Sequence, residues 1–322
     1  MRPGLLDFLC CPQCGGQPLV LRDSACRPSD LEETRDAREG TLFCGECESA
    51  YEIEDGIPAL MVERRAWKEG TEGEQSYWDE QYGKIDESRA LLSSGVRYTE
   101  RDRYLLSPLK SRGLEGKSVI EFGCGYAQFA FALLRPAEHE YTYIGTDVSL
   151  AGLKLAKSIM PEGEFVQCMA DNPPFQEKSA DVVLLLGVLH HIPEYKEALR
   201  KIVGLVKPGG CVLFDEAIGK PRIGGSFRHG AWTAEEDSPH EGKVGLSEIL
   251  EVFEEVGEVT FRVKMSPARV VLQKFLAQKI LGFELSDEFI MRTDQLWLQT
   301  FGKLMPSLGP NEAIGILKVE GP

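Results

Sequence analysis

Ser118-Val-Ile-Glu-Phe-Gly-Cys-Gly125 is the stretch that decides the fold. Ser118 to Phe122 has the apolar content of a buried strand. Gly123-Cys124-Gly125 breaks it, and a helical pattern follows from about Tyr126 to Leu134. Outward from this unit the same alternation repeats. Thr142 to Thr146 is a second strand ending at Asp147, and Ser149 caps a helix with Leu150, Leu153 and Ala156 on its inner face. Phe165 to Met169, Asp181 to Leu186 and Cys211 to Phe214 read as strands three to five. Strand and helix in alternation predict an α/β fold with a parallel, doubly wound sheet.

A Gly-x-Gly turn alone says little about a ligand. An acidic residue ending the next strand, 22 positions after Gly125, says more. Gly123 and Gly125 let the backbone approach a ligand closely, and Asp147 is placed to accept hydrogen bonds from ribose hydroxyls. Two residues argue against a dinucleotide: Glu121 lies just before the turn, and Gln128 stands where the third glycine of GxGxxG belongs. A pyrophosphate is repelled by a carboxylate there, whereas a ligand with an amino group tolerates it.

Glu121-x-Gly123-x-Gly125 resembles the first motif of the class I S-adenosylmethionine (SAM)-dependent methyltransferases. Gly145-Thr-Asp147, Ala170-Asp171-x-x-Pro174-Phe175, Gly187-Val-Leu-His-His191 and Leu205-Val-Lys-Pro-Gly-Gly210 match further segments in order, over about residues 100–265. The resemblance implies a Rossmann-like, mostly parallel seven-stranded sheet. It implies that Glu121, Gly123 and Gly125 hold the methionine end of SAM, with Cys124 and Gln128 in the same loop. Asp147 and Val148 would meet the ribose, Asp171 and Asn172 the adenine side, and Gly187 the end of strand four. Ala127 replaces a glycine common in the family.

Asn172-Pro173-Pro174-Phe175 spells the signature of methyltransferases that act on planar amide or amino nitrogens. In those enzymes it ends strand four, whereas here it lies 25 residues after Asp147 and before strand four. It therefore reads as the adenine-side loop. Strand four ends instead in His190-His191, where the methyl group should project. One of the two is the candidate base, since imidazole titrates near neutrality. The alternative is that one caps the next helix and the other packs on the cofactor. His229, with Trp232, His240, Arg222 and Arg228, lies in the loop after strand five and is a weaker candidate. Val259 to Lys264 and Ala313 to Val319 read as the last two strands, which the family joins by a tight hairpin. Here 48 residues separate them. The helical stripes of this insertion (about 265–311) read as a substrate cap, a homodimer surface or extra helices on the core.

At the other end, Cys11-x-x-Cys14 and Cys44-x-x-Cys47 offer two thiolate pairs on tight turns, the ligand set of a closed tetrahedral zinc site. Twenty-nine residues separate Cys14 from Cys44, more than the about 15–20 usual between such pairs. Leu5-Leu6-Asp7-Phe8-Leu9 and the Asp55-Gly-Ile-Pro58 segment resemble the small zinc-ribbon proteins that bind and activate methyltransferases of tRNA, rRNA and release factors. Here such a module would be fused in cis, over residues 1–62. It carries 5 basic and 12 acidic side chains, so a folding and docking platform is expected rather than a nucleic-acid clamp. Residues 63–116 read as a linker and a helical lid. Tyr77, Trp78, Gln81 and Tyr82 share one helix face, and Tyr82 is expected to close over the cofactor. The fold proper would span residues 117–322.

Composition bounds the rest. The chain has 322 residues, 43% of them apolar, with a net charge of −15 from 36 basic and 51 acidic residues. That excludes general disorder and makes nucleic acid an unfavoured partner. No apolar run approaches the about 18–20 residues of a membrane span, and Arg2-Pro3-Gly4 does not begin a secretory signal. A cytoplasmic location follows, in which nine cysteines favour metal over disulfides. The expected partner is a small-molecule methyl acceptor reacting at oxygen, nitrogen or activated carbon. An RNA or protein acceptor and a non-catalytic SAM-binding partner protein are the alternatives.

Overall fold

The computed structural model describes residues 1–22, 37–62, 71–88, 90, 104–109, 113–134, 140–218, 226–228, 231–233, 242, 244–265 and 310–321. The chain begins as a small antiparallel sheet of β1 (Leu19–Arg22), β2 (Gly40–Cys44), β3 (Ala50–Glu54) and β4 (Ile57–Pro58), in that order. β3 alternates cleanly, with Tyr51 and Ile53 inward and Ala50, Glu52 and Glu54 outward. Asp55 and Gly56 both take positive φ between the paired residues Glu54 and Ile57. That is the two-residue hairpin turn for which Asp-Gly is suited. A Cβ on Gly56 would fall 2.6 Å from the backbone nitrogen of Met1, so the position needs glycine twice over.

Helix α1 (Thr71–Gly83) precedes the large sheet. Then come β5 (Ser118–Phe122), a turn of π-helix (Ala130–Leu134), β6 (Thr142–Asp147), α2 (Leu150–Ile159), β7 (Glu164–Gln167), β8 (Ala180–Leu186), α3 (Tyr195–Gly204) and β9 (Val206–Ala217). A short hairpin of β10 (Ser226–Arg228) and β11 (Ala231–Thr233), α4 (Leu246–Glu254), β12 (Gly257–Met265) and β13 (Pro310–Val319) complete the described chain. The seven-stranded order is β12-β13-β9-β8-β5-β6-β7. β5 to β9 run parallel, and β13 is antiparallel to both its neighbours. The expected sheet is therefore present, and β12 and β13 pair in spite of the long insertion between them. The expected cap or dimer surface in that insertion lies outside the described residues, apart from its strand ends.

All five residues of β5 are buried, as a central parallel strand requires. α2 starts where expected: the Ser149 hydroxyl accepts the Gly152 N–H at 3.1 Å, a cap that contributes about 1 kcal/mol. Four strands differ from their sequence reading, β12 and β13 by beginning earlier, at Gly257 and Pro310. β7 ends at Gln167, whose pairing with Asp147 is the last of its register with β6. β9 starts at Val206, five residues before Cys211, because Val206 already pairs with Ala180 of β8.

The small sheet is docked on the large one. Leu60 donates to the Gln167 carbonyl at 2.8 Å, Cys10 to that of Pro174 at 3.0 Å, and Gln176 to that of Phe8 at 2.8 Å. Leu5, Leu9, Leu42, Tyr51, Ile53 and Leu60 share one hydrophobic cluster with Val166, Cys168 and Phe175. β7, the edge strand, is thereby covered rather than left to pair with another chain. Arg2 with Glu164, and Lys154 with Glu54 and Asp55, add ion pairs at the rim.

Candidate active site

The four ribbon cysteines come together. The sulfurs of Cys11, Cys14, Cys44 and Cys47 all lie within 4.8 Å of one another, with Cys11–Cys47 and Cys14–Cys44 both at 3.6 Å. A tetrahedron with Zn–S bonds of ~2.3 Å has edges of about 3.8 Å, so the donor set fits zinc. Tyr51 Oη lies 3.0 Å from Cys11 Sγ, and the Gly16 N–H donates to Cys14 Sγ at 3.3 Å. Such donors stabilise thiolates and orient them. Cys10 is not part of the set. Its backbone serves the docking seam instead.

The second site lies at the carboxyl ends of β5, β6, β7 and β8. β6 lies to one side of β5 and β8 to the other, so the crevice opens at the switch point of the sheet. It is a cavity of about 370 Å³. Gly123, Asp147, Val148, Asp171, Gly187, His190 and His191 line it, as does Tyr82 from α1. Gly123 has φ +66°, and a Cβ there would come within 2.6 Å of the Val188 side chain. The Asp147 carboxylate accepts the N–H groups of Gly125 at 2.8 Å and Ser149 at 2.9 Å. Burial pushes its pKa up to about 6 against these hydrogen bonds, which pull it down.

Other residues of the expected set stand outside the cavity wall among the described residues. The Glu121 carboxylate is buried and accepts the Tyr143 hydroxyl at 2.6 Å. Cys124 is buried beneath the loop, Gly125 acts through its N–H, and Gln128 lies beyond the turn. The Asn172 side-chain amide donates to the Pro12 carbonyl at 3.0 Å, a tie to the ribbon. His229 lies outside the described residues.

α1 forms one wall of the cavity. Trp78 and Tyr82 stack at 5.5 Å, and Tyr82 packs across the glycine loop: a Cβ on Gly125 would lie 2.5 Å from its hydroxyl. Asp79 ties the helix down by accepting the Ser149 hydroxyl at 2.6 Å and the Ala151 N–H at 3.0 Å. Two residues missed by sequence reasoning support the site, Glu74 in the cavity wall and Glu216 behind His190. Glu74, 4% exposed, accepts the Trp78 indole N–H at 3.0 Å and lies 3.5 Å from Nδ1 of His191. Glu216, 1% exposed at the end of β9, holds Nδ1 of His190 and accepts the N–H groups of Val188 at 3.1 Å and Leu189 at 2.7 Å. The Glu74, Trp78, Tyr82 spacing of four residues was the available signal for the first. β9 offered none for the second.

Comparison with known proteins agrees with this architecture. Residues 120–214 match the family described as "Methyltransferase domain", and residues 2–56 match the family described as "Trm112p-like protein". One chain thus carries a segment similar to a Trm112p-like protein and a segment similar to a methyltransferase domain, and the seven-stranded sheet and four-cysteine cluster fit SAM and a structural zinc. Phthiotriol/phenolphthiotriol dimycocerosates methyltransferase 1 of Mycobacterium ulcerans is 36% identical over 105 residues, 32% of this chain and 38% of that one. The fatty-acid O-methyltransferase of Mycolicibacterium smegmatis is 33% identical over 34% of this chain and 39% of its own. The matches thus span well under half the length of these relatives. Haemonchus contortus phosphoethanolamine N-methyltransferase 2, solved with S-adenosyl-L-methionine, is 17% identical over 76% of this chain and 60% of its own, with a TM-score of 0.46. Among the described residues no helix is long and apolar enough to cross a membrane.

Proposed function

We propose that this protein transfers the methyl group of SAM to a small-molecule acceptor with an apolar body, while the zinc ribbon serves as a structural element in cis. The observation that carries this reading is the cavity itself. SAM itself would take up much of its about 370 Å³, and the apolar wall of Trp78, Tyr82, Leu186, Val188, Ile192 and Met169, with α1 across it, suits a compact acceptor beside the cofactor. The names of the relatives, a phthiotriol/phenolphthiotriol dimycocerosates methyltransferase and a fatty-acid O-methyltransferase, support the same reading. The ribbon spends its apolar face on β7 and is acidic outside, which leaves RNA little to grip.

SAM supplies a methyl group already activated on a sulfonium, so position does much of the work. Asp147 would accept the ribose hydroxyls, Gly123 would let the backbone approach, and Asp171 and Val148 would flank the adenosine. Trp78 and Tyr82 exclude water from above. His190 and His191 lie at the end of β8, and His191 is the residue we assign as proton acceptor.

Methyl-labelled SAM incubated with size-fractionated lysate of the source organism tests the acceptor class, each fraction with and without nuclease or protease. Label is expected in the low-mass filtrate. Label that stays large and becomes small only after nuclease or protease would overturn the small-molecule reading and restore the ribbon as a docking arm.

A further inference from the structure

His190 and His191 each face a buried carboxylate, and the two carboxylates differ in kind. Glu216 belongs to the sheet and is stitched into it by the N–H groups of Val188, Leu189 and Ala217 as well as by His190. It fixes the path of the loop after β8. Glu74 comes from α1, outside the sheet. A buried carboxylate is costly unless it is compensated. Two of the groups that face it lie on the cavity wall, the Trp78 indole N–H at 3.0 Å and the His191 ring at 3.5 Å. Trp78 also presents its ring edge-on to His191, with centroids 5.4 Å apart, so the imidazole is held on two sides by α1.

We propose that Glu74 is a positioning residue for His191, holding Nδ1 toward α1 and Nε2 toward the cavity, so that His191 takes the proton of a hydroxyl-bearing acceptor. This deepens the methyl-transfer reading and rests on it. A free amine is nucleophilic as it binds, whereas a neutral hydroxyl needs a base. In the step, the acceptor oxygen bonds the methyl carbon as the carbon–sulfur bond breaks, and its electron pair stays on sulfur, which becomes a neutral thioether. The hydroxyl proton passes to Nε2 of His191. The positive charge of the sulfonium is thus replaced by that of an imidazolium beside Glu74, and the proton leaves to solvent with product release. α1 therefore brings a working carboxylate as well as a cover.

Glu74→Gln tests this, with 4-octylphenol and 4-octylaniline as paired probe acceptors and methyl-labelled SAM as donor. The expected result is label on the phenol, with kcat lowered about 100-fold in Glu74→Gln. KM and SAM affinity stay within about twofold, and Glu74→Asp recovers part of the loss. Nitrogen-15 NMR gives a readout independent of turnover. In the wild type His191 carries its proton on Nδ1, and in Glu74→Gln the two tautomers mix while His190 is unchanged. An unchanged kcat or an unchanged His191 tautomer overturns the role of Glu74. Label on the aniline with the phenol untouched overturns the hydroxyl assignment and leaves methyl transfer standing. A wild-type protein that binds no SAM overturns both. Should Glu74→Gln fail to bind SAM, His191→Gln carries the test. Phenol methylation must then fall by a similar factor, and its persistence would overturn the proposal.

Discussion

The ribbon and the crevice are both made from glycine-bearing turns, yet they end in opposite kinds of site. In the ribbon, four thiols from two turns converge within 4.8 Å, and a metal there would be closed off. In the crevice, the groups arrive from the ends of four strands and one preceding helix, and the space between them stays open. A site whose ligands sit in two Cys-x-x-Cys pairs is written locally. A site assembled between Glu74 and Glu216 exists only once the chain has folded. The difference also separates their energetics: the ribbon's metal should hold the fold, while the crevice should carry a local cost for its function.

The largest expected effect breaks the ribbon. Structural zinc contributes an apparent ~10–16 kcal/mol in isolated finger peptides, so its loss exceeds any single contact elsewhere. Metal analysis should find about one zinc per chain, absent after Cys44→Ser with Cys47→Ser. Because the ribbon and the sheet share a hydrophobic cluster, scanning calorimetry of that variant should show the main transition at lower temperature. A metal-free protein that remains folded and active would sink the comparison at its root.

What could be read in advance follows the same division. Ser118 to Phe122 and the strand ending at Asp147 were legible to the residue, since buried parallel strands declare themselves by composition and by the glycines that end them. So were the four cysteines. The tie made by Asn172 was not legible, because a motif fixes residue types and not the direction a side chain takes. Its amide turns toward Pro12, in a module 160 positions away. Glu74 was hidden in an acidic stretch that looks like a solvated linker. Only the docking of α1 on Ser149 and Ala151 makes it inward-facing. Glu216 lay past the strand read as Cys211 to Phe214, and its role appears only when the loop after β8 is laid beside it.

The next effect sharpens the crevice side of the comparison. Burial raises Asp147 from its ordinary value near 3.8 to about 6. A raised carboxyl binds its proton more tightly in the folded state, so its contribution to stability falls as pH rises from about 4 to about 6 and is constant above. Holding the charge at neutral pH costs on the order of 3 kcal/mol. Cofactor affinity should move the opposite way. A protonated Asp147 loses an acceptor for the ribose, so SAM binding should weaken about tenfold per pH unit below about 6. Calorimetric titration from pH 8 to 5 checks this. Affinity that stays flat across that range would remove Asp147 from the cofactor site.

The smallest effect tests the seam between the two regions. Asn172→Ala deletes one hydrogen bond to the Pro12 carbonyl and leaves that oxygen to find water, a cost of about 1 kcal/mol. It touches neither the cavity wall nor a thiolate. The expected phenotype is therefore a slightly lowered melting temperature, with SAM affinity and turnover unchanged within about twofold. The residue sits in a sequence that, in amino-nitrogen methyltransferases, orients the target. Loss of methyl transfer with intact SAM binding would mean that Asn172 leaves Pro12 to meet the acceptor. The ribbon would then be coupled to the chemistry and not merely to the fold. A change in stability alone would confirm that the Asn-Pro-Pro-Phe segment has been turned from a substrate clamp into a docking seam, held through Asn172 and the backbone of Pro174.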